Sequence, residues 1–154
     1  MNLSDLITPD AIIPTFRAQS KKAVLNVLAD SAANLTGLDA RVIFEALLTR
    51  ERLGSTSVGR GIAIPHGRMP GLKRIVCAFV RLAEPIAFGS HDDEPVDLVF
   101  LLLTPEDAGA DHLKALSRIS RLLREPAAID KLRAARDRKA LYAAMTEKAT
   151  SHAA

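Results

Sequence analysis

Ile75-Val76-Cys77-Ala78-Phe79-Val80-Arg81-Leu82 and, after a polar link, Asp97-Leu98-Val99-Phe100-Leu101-Leu102-Leu103 are the stretches that decide the fold. Each has strand length, is rich in β-branched residues and Leu, and is almost free of polar positions. A strand with one wet face alternates apolar and polar side chains; a continuous apolar run is covered on both faces. These two segments are therefore interior strands of a sheet with helices on both of its faces, and the fold class is α/β. The link, Glu84 to Pro95, carries Pro85, Pro95, Gly89 and a row of acidic or polar positions. It reads as a loop with one short strand around Phe88.

Working outward from the sheet, Ala11 to Phe16 is a short apolar run broken by Pro14, which predicts an edge strand because proline cannot donate to a central ladder. Ser20 then offers a helix cap, followed by Ala23, Val24, Val27 and Leu28 at helical spacing. Gly37 marks a turn, Asp39 a second cap, and Val42, Ile43, Ala46 and Leu47 a second amphipathic helix. On the carboxy-terminal side Leu113, Leu116, Ile119, Leu122 and Leu123 form another stripe. Pro126 punctuates it, and Ile129 to Leu132 and Leu141 to Met145 close the chain as two short helices. The residues from Lys148 to Ala154 are expected to fray.

A chain of 154 residues, 48% apolar, has material for one sizeable core and one domain. Its single cysteine, Cys77, lies inside the first apolar run, where it reads as a small buried hydrophobe in a reducing cytoplasm. The opening residues Met1 to Asp5 lack a basic stretch followed by an apolar core, and no segment approaches the ~20 apolar residues that span a bilayer. Net charge is +3, yet Arg118 to Lys139 holds eight Lys or Arg against three acids. No aromatic interleaves that basic stretch and the chain has no tryptophan. It reads as a solvated helix face, not a nucleic-acid surface.

The chemistry concentrates in Gly54-Ser55-Thr56-Ser57-Val58-Gly59-Arg60-Gly61-Ile62-Ala63-Ile64-Pro65-His66-Gly67. Three glycines in eight residues allow close backbone approach. The hydroxyls of Ser55, Thr56 and Ser57, with exposed amides such as that of Gly59, are candidates to hold phosphate oxygens. The string is a near miss for a nucleotide-binding loop: Arg60 and Gly61 stand where Lys and Ser or Thr belong, and a helix precedes it where that loop needs a strand.

His66 is bracketed by Pro65, which fixes a backbone angle, and Gly67, which clears space, so its ring is presented rigidly at the end of a short strand. Free histidine titrates near pH ~6.5, and its neutral ring nitrogen can attack phosphorus without metal or cofactor. His112, at the start of a helix, could donate to a phosphate on His66, or be a surface residue of the cap region. Arg50, ending the second helix, could neutralise phosphoryl oxygens or cap its own helix. His91 and His152 have no such setting. A zinc site at His66 and His112 lacks a third ligand at metal-binding spacing. Ser55 and Ser57 lack the strand-nucleophile-helix elbow of a hydrolase.

Leu48-Thr49-Arg50-Glu51, Gly54-Ser55-Thr56 and Gly61-Ile62-Ala63-Ile64-Pro65-His66-Gly67 resemble the IIA domains, fructose-mannitol type (type 2), of the bacterial phosphoenolpyruvate-dependent phosphotransferase system. The likeness continues through Glu84-Pro85-Ile86, Pro95-Val96-Asp97-Leu98 and His112-Leu113 to Leu116, and it is strongest toward the nitrogen-regulatory branch. It implies a single α/β domain over 1–148 with a central mixed sheet between helices, and a frayed tail over 149–154. It also implies a tele-phosphohistidine at His66, with Arg50 and His112 lining the site and no cofactor.

The implied donor is a small histidine-phosphorylated carrier protein, NPr- or HPr-like. The implied targets are transporter or kinase proteins of nitrogen and potassium metabolism, with membrane contact only through such partners. The alternative is a sugar-transport IIA that passes its phosphate to a IIB partner. Three positions depart from the family pattern. Ser57-Val58 stand where Gly-Ile is usual, which predicts backbone strain at Ser57, and Lys114 stands where close relatives often carry histidine.

Overall fold

In the computed structural model, which describes residues 2–147, the two apolar runs become neighbouring antiparallel strands of a six-stranded mixed sheet. In chain order the strands are β1 (Ile12–Phe16), β2 (Ser57–Gly59), β3 (Ile62–Ala63), β4 (His66–Met69), β5 (Val76–Ile86) and β6 (Val96–Pro105). The helices are α1 (Lys21–Thr36), α2 (Ala40–Leu53), α3 (Ala110–Leu122), α4 (Pro126–Ala134) and α5 (Arg138–Thr146). The sheet order is β1-β5-β6-β3-β2, with β4 also paired to β6. Every residue from Leu98 to Thr104 is buried. Successive side chains point to opposite faces, so both faces are covered. Packing follows: α1 lies on β5, α2 on β4, α3 on β6 and α5 on β1.

Local rules set the boundaries. Ser20 caps α1 by accepting from the Ala23 amide, Gly37 ends it at φ 78°, and Asp39 caps α2 by accepting from the Arg41 amide. β1 is an edge strand pairing in parallel with β5, so Pro14 costs no interior ladder bond. Cys77 is buried, and burial pushes its thiol up to about 12, so it stays uncharged.

Two expectations about these elements need correction, one on the strands and one on the helix stripes. β5 does not stop at Leu82 but runs through Glu84 and Pro85 to Ile86, and no strand forms at Phe88, which plugs the core from a loop. The added residues Ala83 to Pro85 are exposed, so they lack the apolar signature by which an interior strand is recognised. Val42 and Leu113, assigned to apolar stripes, are exposed, because each lies one position off the buried face of its helix. The expected fraying of Lys148 to Ala154, including the 149–154 tail, lies outside the described residues. Among the described residues, no helix is long and apolar enough to cross a membrane.

Arg81, the charge that interrupts the first apolar run, ties the layers together. Its Nε donates to the Pro14 carbonyl at 2.8 Å, and its Nη1 donates to the carbonyls of Leu132 at 2.8 Å and Ala135 at 2.7 Å. Arg138 of α5 donates to the Ile12 carbonyl at 3.0 Å. The first strand and the last two helices are thus joined by side-chain to backbone bonds.

Candidate functional site

The glycine-rich stretch folds as a tight hairpin between β2 and β3, with Gly59 opposite Ile62 and Arg60-Gly61 as its two-residue turn. Arg60 (φ 58°) and Gly61 (φ 79°) both take positive φ, as the favoured hairpin turns require. The Arg60 backbone is therefore the strained non-glycine position here. It is held by its own Nη1 donating to the Arg124 carbonyl and by Arg133 Nη2 donating to the Arg60 carbonyl. Ser57 does not have a positive φ, which corrects the strain expected there.

β3 and β4 both pair in parallel with β6 and form one strand with a break at Ile64-Pro65. Pro65 has no amide hydrogen, and the Ile64 amide turns aside to the Thr56 carbonyl at 3.0 Å. The ladder resumes through the Pro65 carbonyl, which accepts from the Leu102 amide. His66 thus opens a strand instead of ending one, and its ring folds back on the break. Its Nδ1 lies 2.8 Å from the Ile64 carbonyl. A carbonyl can only accept, so this geometry selects the tautomer with the proton on Nδ1 and a lone pair on Nε2. The ring is half-buried.

His112 is brought to His66, with ring centroids 5.8 Å apart and planes at 64°. It is not a surface cap residue: it is buried, and its Nδ1 lies 2.6 Å from the hydroxyl of the fully buried Thr104. The amides of Asp111 and His112 bond to the carbonyls of Ala108 and Gly109. Burial first, then the Arg68 guanidinium and His66, hold the His112 imidazole below its ordinary pKa, so it is uncharged at neutral pH.

This depression has a consequence for stability. Below the unfolded value of about 6.5 the unfolded chain binds a proton that folded His112 refuses, so stability falls as pH drops through that value toward the folded pKa. The urea midpoint should decline between pH 7.5 and 5.5 more steeply in the native protein than in His112→Gln. Equal declines would remove the claim.

Other expected site groups are engaged within the chain. Arg50 Nη1 donates to the Gly54 carbonyl at 2.9 Å, capping its own helix, although α2 packs against the strand that His66 opens. The Ser55 hydroxyl donates to the Phe88 carbonyl and accepts from the Ser57 amide, while the Ser57 hydroxyl accepts from the Gly59 amide. Thr56 is buried, and its hydroxyl and amide both bond to the Glu51 carboxylate. A cleft of about 670 Å³ is lined by Arg60, Asp92, Glu94, Asp97, Asp130 and Arg133 among others, and neither histidine borders it. Arg133 there pairs with Asp97 at 2.8 Å, so part of the basic carboxy-terminal face is spent on an internal ion pair. Among the described residues, no three His, Cys, Asp or Glu side chains are grouped to hold a metal.

Sequence reasoning gave no role to Arg68, Thr104, Glu51 or Lys21. Arg68 was legible in principle, since residues i and i+2 of a strand share a face and Arg68 follows His66 at that interval. Thr104 sits opposite Arg68 in the β4–β6 register, a pairing that no local pattern announces.

Comparison with known proteins covers nearly the whole chain. Residues 5–148 match the family described as phosphoenolpyruvate-dependent sugar phosphotransferase system, EIIA 2. A nitrogen regulatory protein of Bradyrhizobium diazoefficiens is 56% identical over 145 residues, covering 94% of this chain and 95% of that one. A fructose-specific EIIA component of Haloferax volcanii is 34% identical over 151 residues, covering 96% and 98%. The crystal structure of nitrogen regulatory protein IIA-Ntr from Neisseria meningitidis superposes with a TM-score of 0.89 at 33% identity, covering 94% of this chain and 99% of that one. With the match spanning nearly the whole chain, and the fold shared with a solved relative, this protein belongs to the EIIA 2 family of the phosphoenolpyruvate-dependent phosphotransferase system.

Proposed function

We propose that His66 accepts a phosphoryl group on Nε2 from a histidine-phosphorylated carrier protein, and that the phosphorylation state governs binding of regulated transporter or kinase proteins in the cytoplasm. The observation that carries this reading is the 2.8 Å contact of Nδ1 with the Ile64 carbonyl, which leaves the Nε2 lone pair for attack. In the transfer the bond from phosphorus to the donor nitrogen breaks, its electron pair stays with the donor, and the new bond forms to Nε2. The Nδ1 proton stays in place. As the ring gives up electron density, Nδ1–H becomes a stronger donor, and the fixed Ile64 carbonyl stabilises the charge that develops.

In this reading, Thr104 donates to Nδ1 of His112, so that Nε2 of His112 carries a proton toward a phosphoryl oxygen. Arg50 exchanges its carbonyl partner for phosphoryl oxygens, and a guanidinium fork suits that task. Ser55, Thr56, Ser57 and Gly59 serve at one remove, by fixing the loop that leads to His66. Regulation is favoured over sugar transport by the 56% identity to a nitrogen regulatory protein, against 34% to a fructose-specific component.

The test is incubation with phosphoenolpyruvate, the first enzyme of the relay and its histidine carrier, followed by intact mass. One acid-labile gain of ~80 Da is expected, the mass of one phosphoryl group. No gain with either a nitrogen-branch or a sugar-branch donor would overturn the reading. Discharge by a IIB protein would move the assignment to sugar transport.

A further inference from the structure

We infer that the part-buried Lys21–Glu51 pair is a positioning device for His66, acting through Thr56 and Ile64; the inference rests on the phosphoacceptor reading of His66. The chain of contacts is continuous. Lys21, the first residue of α1, places Nζ 2.9 Å from Glu51 Oε2. The Glu51 side chain is only 2% exposed, so its charge depends on that partner and on hydrogen bonds. Both come from Thr56: its hydroxyl donates to Oε1, and its amide donates to Oε2 at 3.3 Å. The Thr56 carbonyl accepts from the Ile64 amide at 3.0 Å, and the Ile64 carbonyl accepts from His66 Nδ1 at 2.8 Å. Lys21 also braces the loop from a second side. Its ammonium lies 4.6 Å from the centroid of the Phe88 ring, and the Phe88 carbonyl accepts from Ser55.

Stability alone does not explain this arrangement. A buried ion pair is often no more stabilising than apolar residues of the same volume, whereas it defines one geometry sharply. Here it grips Thr56 by side chain and backbone together, so the peptide unit that holds Ile64 cannot rotate. Ile64 and Pro65 are both buried. Consecutive hydrogen bonds polarise one another, so the Ile64 carbonyl is both held in direction and strengthened as an acceptor. Released, it would let His66 sample the tautomer with the proton on Nε2, which leaves that nitrogen no lone pair for attack on phosphorus. Neither Lys21 nor Glu51 touches the reacting nitrogen in this scheme; both are positioning residues.

The test uses the full chain with Glu51→Gln, Lys21→Met, Thr56→Val and Thr56→Ser. Three quantities are read: the His66 tautomer and titration by nitrogen-15 NMR, the initial rate of phosphorylation at saturating donor, and the thermal midpoint. The native ring should hold its proton on Nδ1 almost exclusively. In Lys21→Met, Thr56→Val and Glu51→Gln both tautomers should appear and the rate should drop about tenfold, as expected for a misaligned nucleophile. Thr56→Ser, which keeps the hydroxyl, should restore both tautomer and rate. Lys21 retains some exposure, so its variant keeps the test open if Glu51→Gln does not fold. Folded variants that retain the single native tautomer and the native rate would overturn the inference. If the native protein takes no phosphate at all, the phosphoacceptor reading fails, while the tautomer measurement still decides the hydrogen-bond chain.

Discussion

His66→Ala is expected to take up no acid-labile phosphate, while its thermal midpoint moves by no more than a few degrees. The two effects separate because the ring does little for the fold. It is half-buried, and its hydrogen bond to Ile64 carries a net contribution of about 1 kcal/mol. For a domain of this size 1 kcal/mol moves the midpoint by roughly 2–4 °C. The backbone of β4 pairs with β6 whatever the side chain at its first position. His66→Gln sharpens the test, since an amide can donate to the Ile64 carbonyl yet has no nucleophilic ring nitrogen. Intact mass and scanning calorimetry on the same samples would settle it. Stoichiometric labelling of either variant would move the acceptor to another residue, with His112 the first to examine.

The largest loss of stability is expected at Phe100. It is fully buried in β6, lies directly across the ladder from Phe79 of β5, and meets that ring edge-on with centroids 5.1 Å apart. Truncation to alanine removes most of the buried side chain and leaves a void between two strands that are themselves held on both faces, so little can collapse into it. A cost of about 3–5 kcal/mol follows, which for a domain of this length is a drop of roughly 6–20 °C in midpoint. Urea unfolding monitored by circular dichroism would measure it, and a loss below about 1 kcal/mol would mean that the β5–β6 pair is not the centre of the core. Phe100→Leu should recover most of the loss, because it restores much of the volume.

Some of this was open to reading before any coordinates. The strand pair β5–β6 declared itself because a strand buried on both faces has no polar residue to hide. Ser20, Gly37 and Asp39 were legible because capping is settled within a few residues of the cap. What escaped had causes further away. Helical periodicity gives the direction of a buried stripe but not its edges, so Val42 and Leu113 were placed inside. His112 looked like a surface residue because its burial depends on Thr104, eight positions earlier on another element. His66 and Pro65 were recognised as a rigid presentation, yet the tautomer depends on the Ile64 carbonyl, whose direction is set by Thr56 and behind it by Glu51 and Lys21. Local signals singled out His66; its orientation is a property of contacts that span four separate segments.

The bonds from Arg81 to Pro14, Leu132 and Ala135, and from Arg138 to Ile12, bear on how the chain comes into being on the ribosome. The first strand of the sheet is finished early in synthesis, but the helix that covers it, α5, ends at Thr146. Until those closing helices emerge, the carbonyl of Ile12 has water in place of Arg138, Arg81 lacks its carbonyl partners Leu132 and Ala135, and the edge strand lacks its cover. A nascent chain arrested before Arg138 therefore carries an open sheet edge, the kind of surface that chaperones hold and proteases cut.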